Sequence, residues 1–227
     1  MLPRVDIISI GTLSRNRLWN ESTPVRTAHA TTSLVRPRRG STILVDPGLP
    51  ASILGARLGE RAGIGVDAVG VIFLTNFRAA HRAGLAAFPK ATVLMHELEI
   101  AHARAHAARM LEQAPEEDHD HAYYRQELEL LERIRPAEDR LADSVDLFPL
   151  FGYTPGTCGL LVSSPTVTTL IAGDGVPTLD HFLAGQVLPD SADIKAAQES
   201  MGEAYEIADV IVPGHDNLFI SPRTMGV

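Results

Sequence analysis

At 227 residues, 45% hydrophobic and 21% charged, the chain has the make-up of one ordinary globular domain that can bury a sizeable core. A formal charge of −8 argues against a nucleic-acid binder held by phosphate contacts. The absence of a long apolar run argues against a membrane span, and a lone Cys158 excludes an intrachain disulfide and suits a reducing, cytoplasmic setting.

Arg4 and Asp6 interrupt the short apolar stretch Met1–Ile10, so it reads not as a signal peptide but as a first strand over Val5–Ile10. Residues 14–28 are polar and mixed, with Trp19 and Pro24, and read as a loop crossing one face. Thr31–Arg36 and Ser41–Val45 are β-branched runs around Pro-Arg-Arg-Gly, the pattern of a hairpin. Asp46-Pro47-Gly48 then stops the second strand. Ser52 is expected to cap a helix reaching about Arg61, with Leu54 and Leu58 at i, i+4 on its buried face. A strand over Val69–Phe73 runs into Leu74–Gly84 (LTNFRAAHRAG), polar first and then Ala-rich and helical, and Ala91–Met95 is the next strand.

Between about residues 97 and 140 the texture turns charged and helical. Two helices, Glu97–Leu111 and Tyr123–Ile134, flank an acidic linker holding His119 and His121, and the charges from Arg125 to Arg140 read as a solvated helix face. The segment is too short to bury a core alone, so it is expected as a helical insertion or lid on a single domain spanning 1–227. Strands return at Val145–Leu150, Cys158–Ser163 and Val167–Ala172. A helix over Ala192–Ile207 is expected to bury Ile194, Ala197, Met201 and Tyr205, and a last short strand covers Val210–Val212. Strand runs in both halves, each closed by a helix, imply two packed sheets with helices outside.

Four strand ends share one design, an apolar run followed by a polar residue beside Gly or Pro: Asp46, the Asn76–His81 group, Asp174 and His215. Carboxylates and imidazoles converging on one sheet edge are metal-ligand chemistry suited to zinc or iron. The same stretches, in order, resemble the metallo-β-lactamase superfamily. ILVDPG is similar to the strand before that family's first active-site loop, LTNFRAAHRAG to its LTHxHxDHxGG motif, and FGYTPGT to GHTPGH. IAGDG is similar to its bridging-aspartate motif and VPGHD to its last histidine motif. The resemblance implies an α+β fold, the four-layer αββα sandwich, and a metal-dependent hydrolase.

It also implies what has been lost. Asn76, Arg78 and Thr157 stand where the family holds one ion, and Ala80 stands where an Asp helps hold the second. Arginine offers no lone pair, so Arg78 cannot ligate. His81, Asp174 and His215 remain as a two-histidine, one-carboxylate set, enough for one zinc or iron ion.

Three readings follow. In the first, a mononuclear metal-dependent hydrolase of ester, thioester or phosphoester bonds uses His81, Asp174 and Arg78 in catalysis. Asn76, Tyr153 and Thr157 then orient a small-molecule substrate, and the 97–140 segment is a lid. In the second, Arg78 pairs with Asp174, and the chain is a metal-free ligand-binding or interaction protein with 97–140 as a homodimer surface. The third is an oxygen- or redox-active iron protein. Nearby residues read more plainly: Asp46 as a structural strand-end carboxylate, His29 as a surface group, and His96, His102 and His106 as a solvated or lid-facing helix. His119 and His121 belong to a flexible acidic loop, Cys158 to buried packing, and Asp180 and His181 to the surroundings of the centre.

Overall fold

The computed structural model describes residues 2–225. One sheet runs β1 (Arg4–Ser9), β2 (Thr32–Arg36), β3 (Ile43–Val45), β4 (Val71–Leu74), β5 (Thr92–Met95) and β6 (Ile134–Pro136), in that order. The other holds β7 (Arg140–Ala142), β8 (Val145–Pro149), β9 (Cys158–Ser163), β10 (Thr168–Gly173), β11 (Val210–Pro213) and β12 (Phe219–Ile220), in order β12-β11-β10-β9-β8-β7. The helices are α1 (Ala51–Ala62), α2 (Ala79–Arg82), α3 (Glu97–Gln113), α4 (His119–Glu132), α5 (Leu179–Ala184), α6 (Ile194–Ile207) and α7 (Pro222–Met225).

Strands buried on both faces explain the near-continuous apolar runs in the sequence. Val35, Ile43, Val45 and Phe73 from the first sheet meet Val145, Leu160, Ile171 and Val212 from the second in the central layer. The opposite face of the first sheet packs Leu34, Leu44 and Ile72 under α1, α3 and α4. Leu170 and Ile211 of the second sheet pack against Phe182 of α5 and Met201 and Ala204 of α6. This is the αββα sandwich that the strand pattern implied. Among the described residues no helix is long and apolar enough to cross a membrane.

Register places the chemistry. β3 and β4 pair in parallel, Val45 opposite Phe73, so Asp46 and Thr75 emerge side by side. β10 and β11 are also parallel, with Gly173 opposite Pro213, so Asp174 and His215 emerge together from the other sheet. Two backbone hydrogen bonds tie the sheets at this end, Cys158 N to Thr75 O at 3.0 Å and Thr31 N to Gly214 O at 2.7 Å. The shared edge therefore joins residues far apart in the chain, at the strand C-termini where α/β sheets bind ligands.

Several local expectations change. α1 begins after Pro50, with no side-chain cap, and Ser52 lies inside its first turn. Leu54 and Leu58 are buried as expected. α2 is a single turn, because Gly84 docks on the β3–α1 connection: its N–H donates to Pro47 O at 2.8 Å, and a Cβ there would lie 2.4 Å from Leu49 O. His119 and His121 are not in a loop but in the first turn of α4, which Asp118 caps by accepting from Asp120 N. The charged run ends in a strand instead of a helix, since β6 adds to β5 in parallel and buries Ile134. On α6 the buried stripe is Ala197, Ser200, Met201 and Ala204. Ile194 and Tyr205 are exposed instead, because the tight approach of the Gly152 backbone to Ala197 selects the small-residue face.

Candidate functional site

Asp46 ends β3 at φ +48°, a left-handed conformation that Asp tolerates better than most residues. There its carboxylate accepts from Thr75 N at 2.9 Å and Thr75 Oγ1 at 2.7 Å, which bears out its structural reading. It does more, because Oδ2 also lies 2.9 Å from His81 Nδ1. With Nδ1 held, His81 turns Nε2 to Asp174 Oδ2 at 2.8 Å. Asn76 Nδ2 donates to the same oxygen at 2.9 Å. His215 approaches from the far side, Nε2 at 2.9 Å from Asp174 Oδ1.

The tautomer of His215 follows from its surroundings. Its Nδ1 faces two backbone carbonyls, His29 O at 3.0 Å and Thr12 O at 3.2 Å, and carbonyls only accept, so Nδ1 carries the proton. In the neutral ring Nε2 then presents a lone pair. The polar atom that buried Asp174 Oδ1 faces is this Nε2, at 2.9 Å. A cation must lie between the two, either a proton that makes His215 an imidazolium or a metal ion that both atoms ligate.

His81, Asp174 and His215 offer ligand atoms within 4.8 Å of one another. Asp46 and the Thr12 and His29 carbonyls fix the rings from behind, which is how metal-binding histidines are oriented. The residues fit one ion.

Electrostatics bind the cluster tightly even without one. Burial opposes a charge on His81, but the carboxylates of Asp174 and Asp46 together outweigh it and raise the imidazole to about 10. Burial likewise opposes ionisation of Asp174, and His81 and His215 override it, holding that carboxyl well below its usual range. Tyr153 stays a neutral phenol, pushed up by burial and by the negative charge of Asp174.

Gly173 makes the approach possible. It adopts φ +53°, and a Cβ would lie 2.3 Å from Thr75 Oγ1, the hydroxyl that anchors Asp46. Gly173→Ala is expected to cost roughly 2–4 kcal/mol. For a chain of this size thermal melting should read that as a drop of roughly 5–15 °C.

The centre opens into a cavity of about 290 Å³ lined by Tyr153, Arg78, His181, Arg15 and Arg17 together with His81, Asp174 and His215. Of the residues expected to orient substrate, Tyr153 lines it. Asn76 is fully buried and acts through Asp174, with its Oδ1 accepting from Arg78 N. Thr157 turns away, its hydroxyl 2.6 Å from Thr154 Oγ1, which itself donates to the buried Glu99 at 2.5 Å. Arg78 does not pair with Asp174; its guanidinium lies 5.2 Å from the Tyr153 ring centre. The Asn76 amide takes that carboxylate instead, a shorter reach from the same turn.

Other residues fall elsewhere. His102 and His106 are exposed on α3, as expected, and border a second cavity of about 520 Å³ with Tyr123, Tyr124 and Arg82. His96 caps α3 by accepting from Leu98 N. His29 is half-buried and contributes its carbonyl. Cys158 sits in the central layer, its thiol pushed up to about 12 by burial. Sequence reasoning missed Arg15, Arg17 and Glu99. The arginines lie in a loop with no motif, and Glu99 looks like any first-turn helical acid until Phe77 N and Thr154 are seen donating to it.

Residues 26–215 match the family model of the metallo-beta-lactamase superfamily. No curated protein matches the chain. Among solved structures, a Thermotoga maritima protein provisionally assigned as a metallo-beta-lactamase is 16% identical, covering 97% of this chain and 100% of its own at a TM-score of 0.69. AidC, a dizinc quorum-quenching lactonase in complex with an N-hexanoyl-L-homoserine product, is also 16% identical, covering 78% and 67% at 0.62. A mutant of AiiA from B. thuringiensis, with N-decanoyl-L-homoserine bound at its active site, is 17% identical, covering 91% and 89% at 0.62. At these identities the likeness is one of fold.

Proposed function

The chain belongs to the metallo-β-lactamase superfamily, and on that premise we propose that it is a mononuclear metal-dependent hydrolase of ester, thioester or phosphoester bonds. The observation that carries this is the convergence of ligand atoms from His81, Asp174 and His215 within 4.8 Å of one another, with His81 oriented from behind by Asp46. A zinc or iron ion held by His81, Asp174 and His215 would supply Lewis acidity for the scissile carbonyl or phosphoryl group and acidify water. Tyr153, a neutral phenol on the cavity wall, can donate a hydrogen bond to charge developing on the substrate oxygen. Arg78 adds fixed positive charge on the same side. Asn76 keeps Asp174 turned into the cluster.

A metal-free ligand-binding role is the second reading. It is favoured by the way His81, once protonated, bridges Asp46 and Asp174 unaided.

Metal analysis of protein purified without chelator or a metal-binding tag separates the two. The hydrolase reading expects about one ion per chain, lost on His215→Ala, and ester hydrolysis that a chelator stops and metal restores. A native protein that holds no ion, takes up neither zinc nor iron on titration, and cleaves no ester would leave the metal-free reading standing.

A further inference from the structure

The cavity wall is positive in a chain that is strongly negative. Arg15, Arg17 and Arg78 all line it, and among the described residues none of the three pairs with a carboxylate. Against them the cavity presents Asp190, which is likewise unpaired, and Asp174, whose charge His81 and His215 already face. Unpaired guanidiniums at one concave site focus a field that draws anions and suit the planar geometry of oxyanion recognition.

The loop that carries Arg15 and Arg17 is also held in place. Between Arg15 and Arg17, Asn16 is only 1% exposed, its N–H donating to Glu21 at 2.6 Å and its Oδ1 accepting from Leu18 N at 3.0 Å. With Asn16 turned inward, its neighbours project from the loop. Arg15 is steadied by Ser22 O at 3.2 Å. The loop itself is pinned at both sides of the cavity: Thr12 bridges His29, and Trp19 Nε1 donates to Asp180 at 2.6 Å, next to the cavity residue His181. Arg78, the third, is stacked on Tyr153.

We propose that this centre takes an anionic substrate, one carrying a phosphate or carboxylate group that Arg15, Arg17 and Arg78 bind beside His81, Asp174 and His215. Turnover of such a substrate rests on the hydrolase reading; binding of the anion does not.

The test is calorimetric titration of the native protein with inorganic phosphate and, separately, with acetate, repeated on Arg15→Ala/Arg17→Ala. The expected result is binding of at least one anion that weakens steeply with salt and falls at least about tenfold in the double variant, metal content being unchanged. Preference for phosphate assigns a phosphorylated substrate; preference for acetate assigns a carboxylate. Arg17→Gln guards against misfolding, since Arg17 has no side-chain partner among the described residues to lose; it should weaken binding at an unchanged melting temperature. Equal affinity in the wild type and both variants, or no binding of either anion, overturns the inference while leaving chelator-sensitive hydrolysis of neutral esters intact. Arginine-dependent phosphate binding by a protein that holds no metal would instead uphold this inference and remove the hydrolase reading.

Discussion

Asp174→Asn is expected to empty the centre. The substitution keeps the volume and replaces an oxygen that the imidazoles face with an amide, so the site loses its only ligand carboxylate and its negative charge together. Metal content should fall from about one ion per chain to near zero, and chelator-sensitive hydrolysis by at least about 10³-fold, the scale of losing a preorganised electrostatic element. The metal-free fold should suffer too. His81 is fully buried and sits between Asp46 and Asp174 at 2.9 and 2.8 Å. Removing one partner of a buried ion pair costs roughly 3–5 kcal/mol. Elemental analysis, initial rates and melting in chelator measure the three effects separately. A variant that melts like the wild type and still holds stoichiometric metal would show that Asp174 neither ligates nor anchors His81.

The second large effect is a pH dependence of stability confined to the metal-free protein. Burial works against the His81 imidazolium, yet Asp174 and Asp46 raise its folded value to about 10 from an ordinary 6.5. The folded state thus holds this proton more tightly than the unfolded chain. Its contribution is complete below about pH 6.5 and is lost as the pH rises through about 10. Its size is on the order of a few kcal/mol. On the acid side Asp174 works with the opposite sign: its carboxyl is held low, so its contribution is present above the ordinary carboxylate range and fades as the pH falls below it.

Denaturant melts in chelator between pH 6 and 10 should therefore show falling stability, and His81→Asn should lack that slope. Bound zinc should flatten it, because a ligated Nε2 has already given up its proton. A flat profile in chelator would mean that His81 is not held as an imidazolium.

Both effects come from contacts that the sequence only partly announces. The apolar runs predicted the layered sandwich correctly because strands buried on both faces need continuous hydrophobic stretches. The helix at residue 134 was misread because β6 is short and its neighbours Arg135 and Glu138 carry a helix-like polarity; pairing with β5, not local propensity, makes it a strand. Thr157 was misjudged for a related reason. Its motif position matches a ligand, but Thr154 and Glu99 offer its hydroxyl a buried network, and Glu99 comes from a helix the motif does not include.

What the sequence determined by itself was the identity of the groups at each strand end, their order, and the absence of lone pairs at Arg78. Those are local properties, carried by residue type and by the glycines and prolines beside it. Only the tertiary structure decided which atoms meet. The parallel pairing of β3 with β4 and of β10 with β11 delivers four side chains to one edge from positions 46, 81, 174 and 215. The carbonyls of Thr12 and His29 choose the tautomer of His215, and the Asn76 amide, not Arg78, takes Asp174. A pinned loop that carries no motif brings Arg15 and Arg17 to the same cavity. Hydrogen-bond direction and charge at a site depend on neighbours distant in the chain, and these appear only once the sheets have closed.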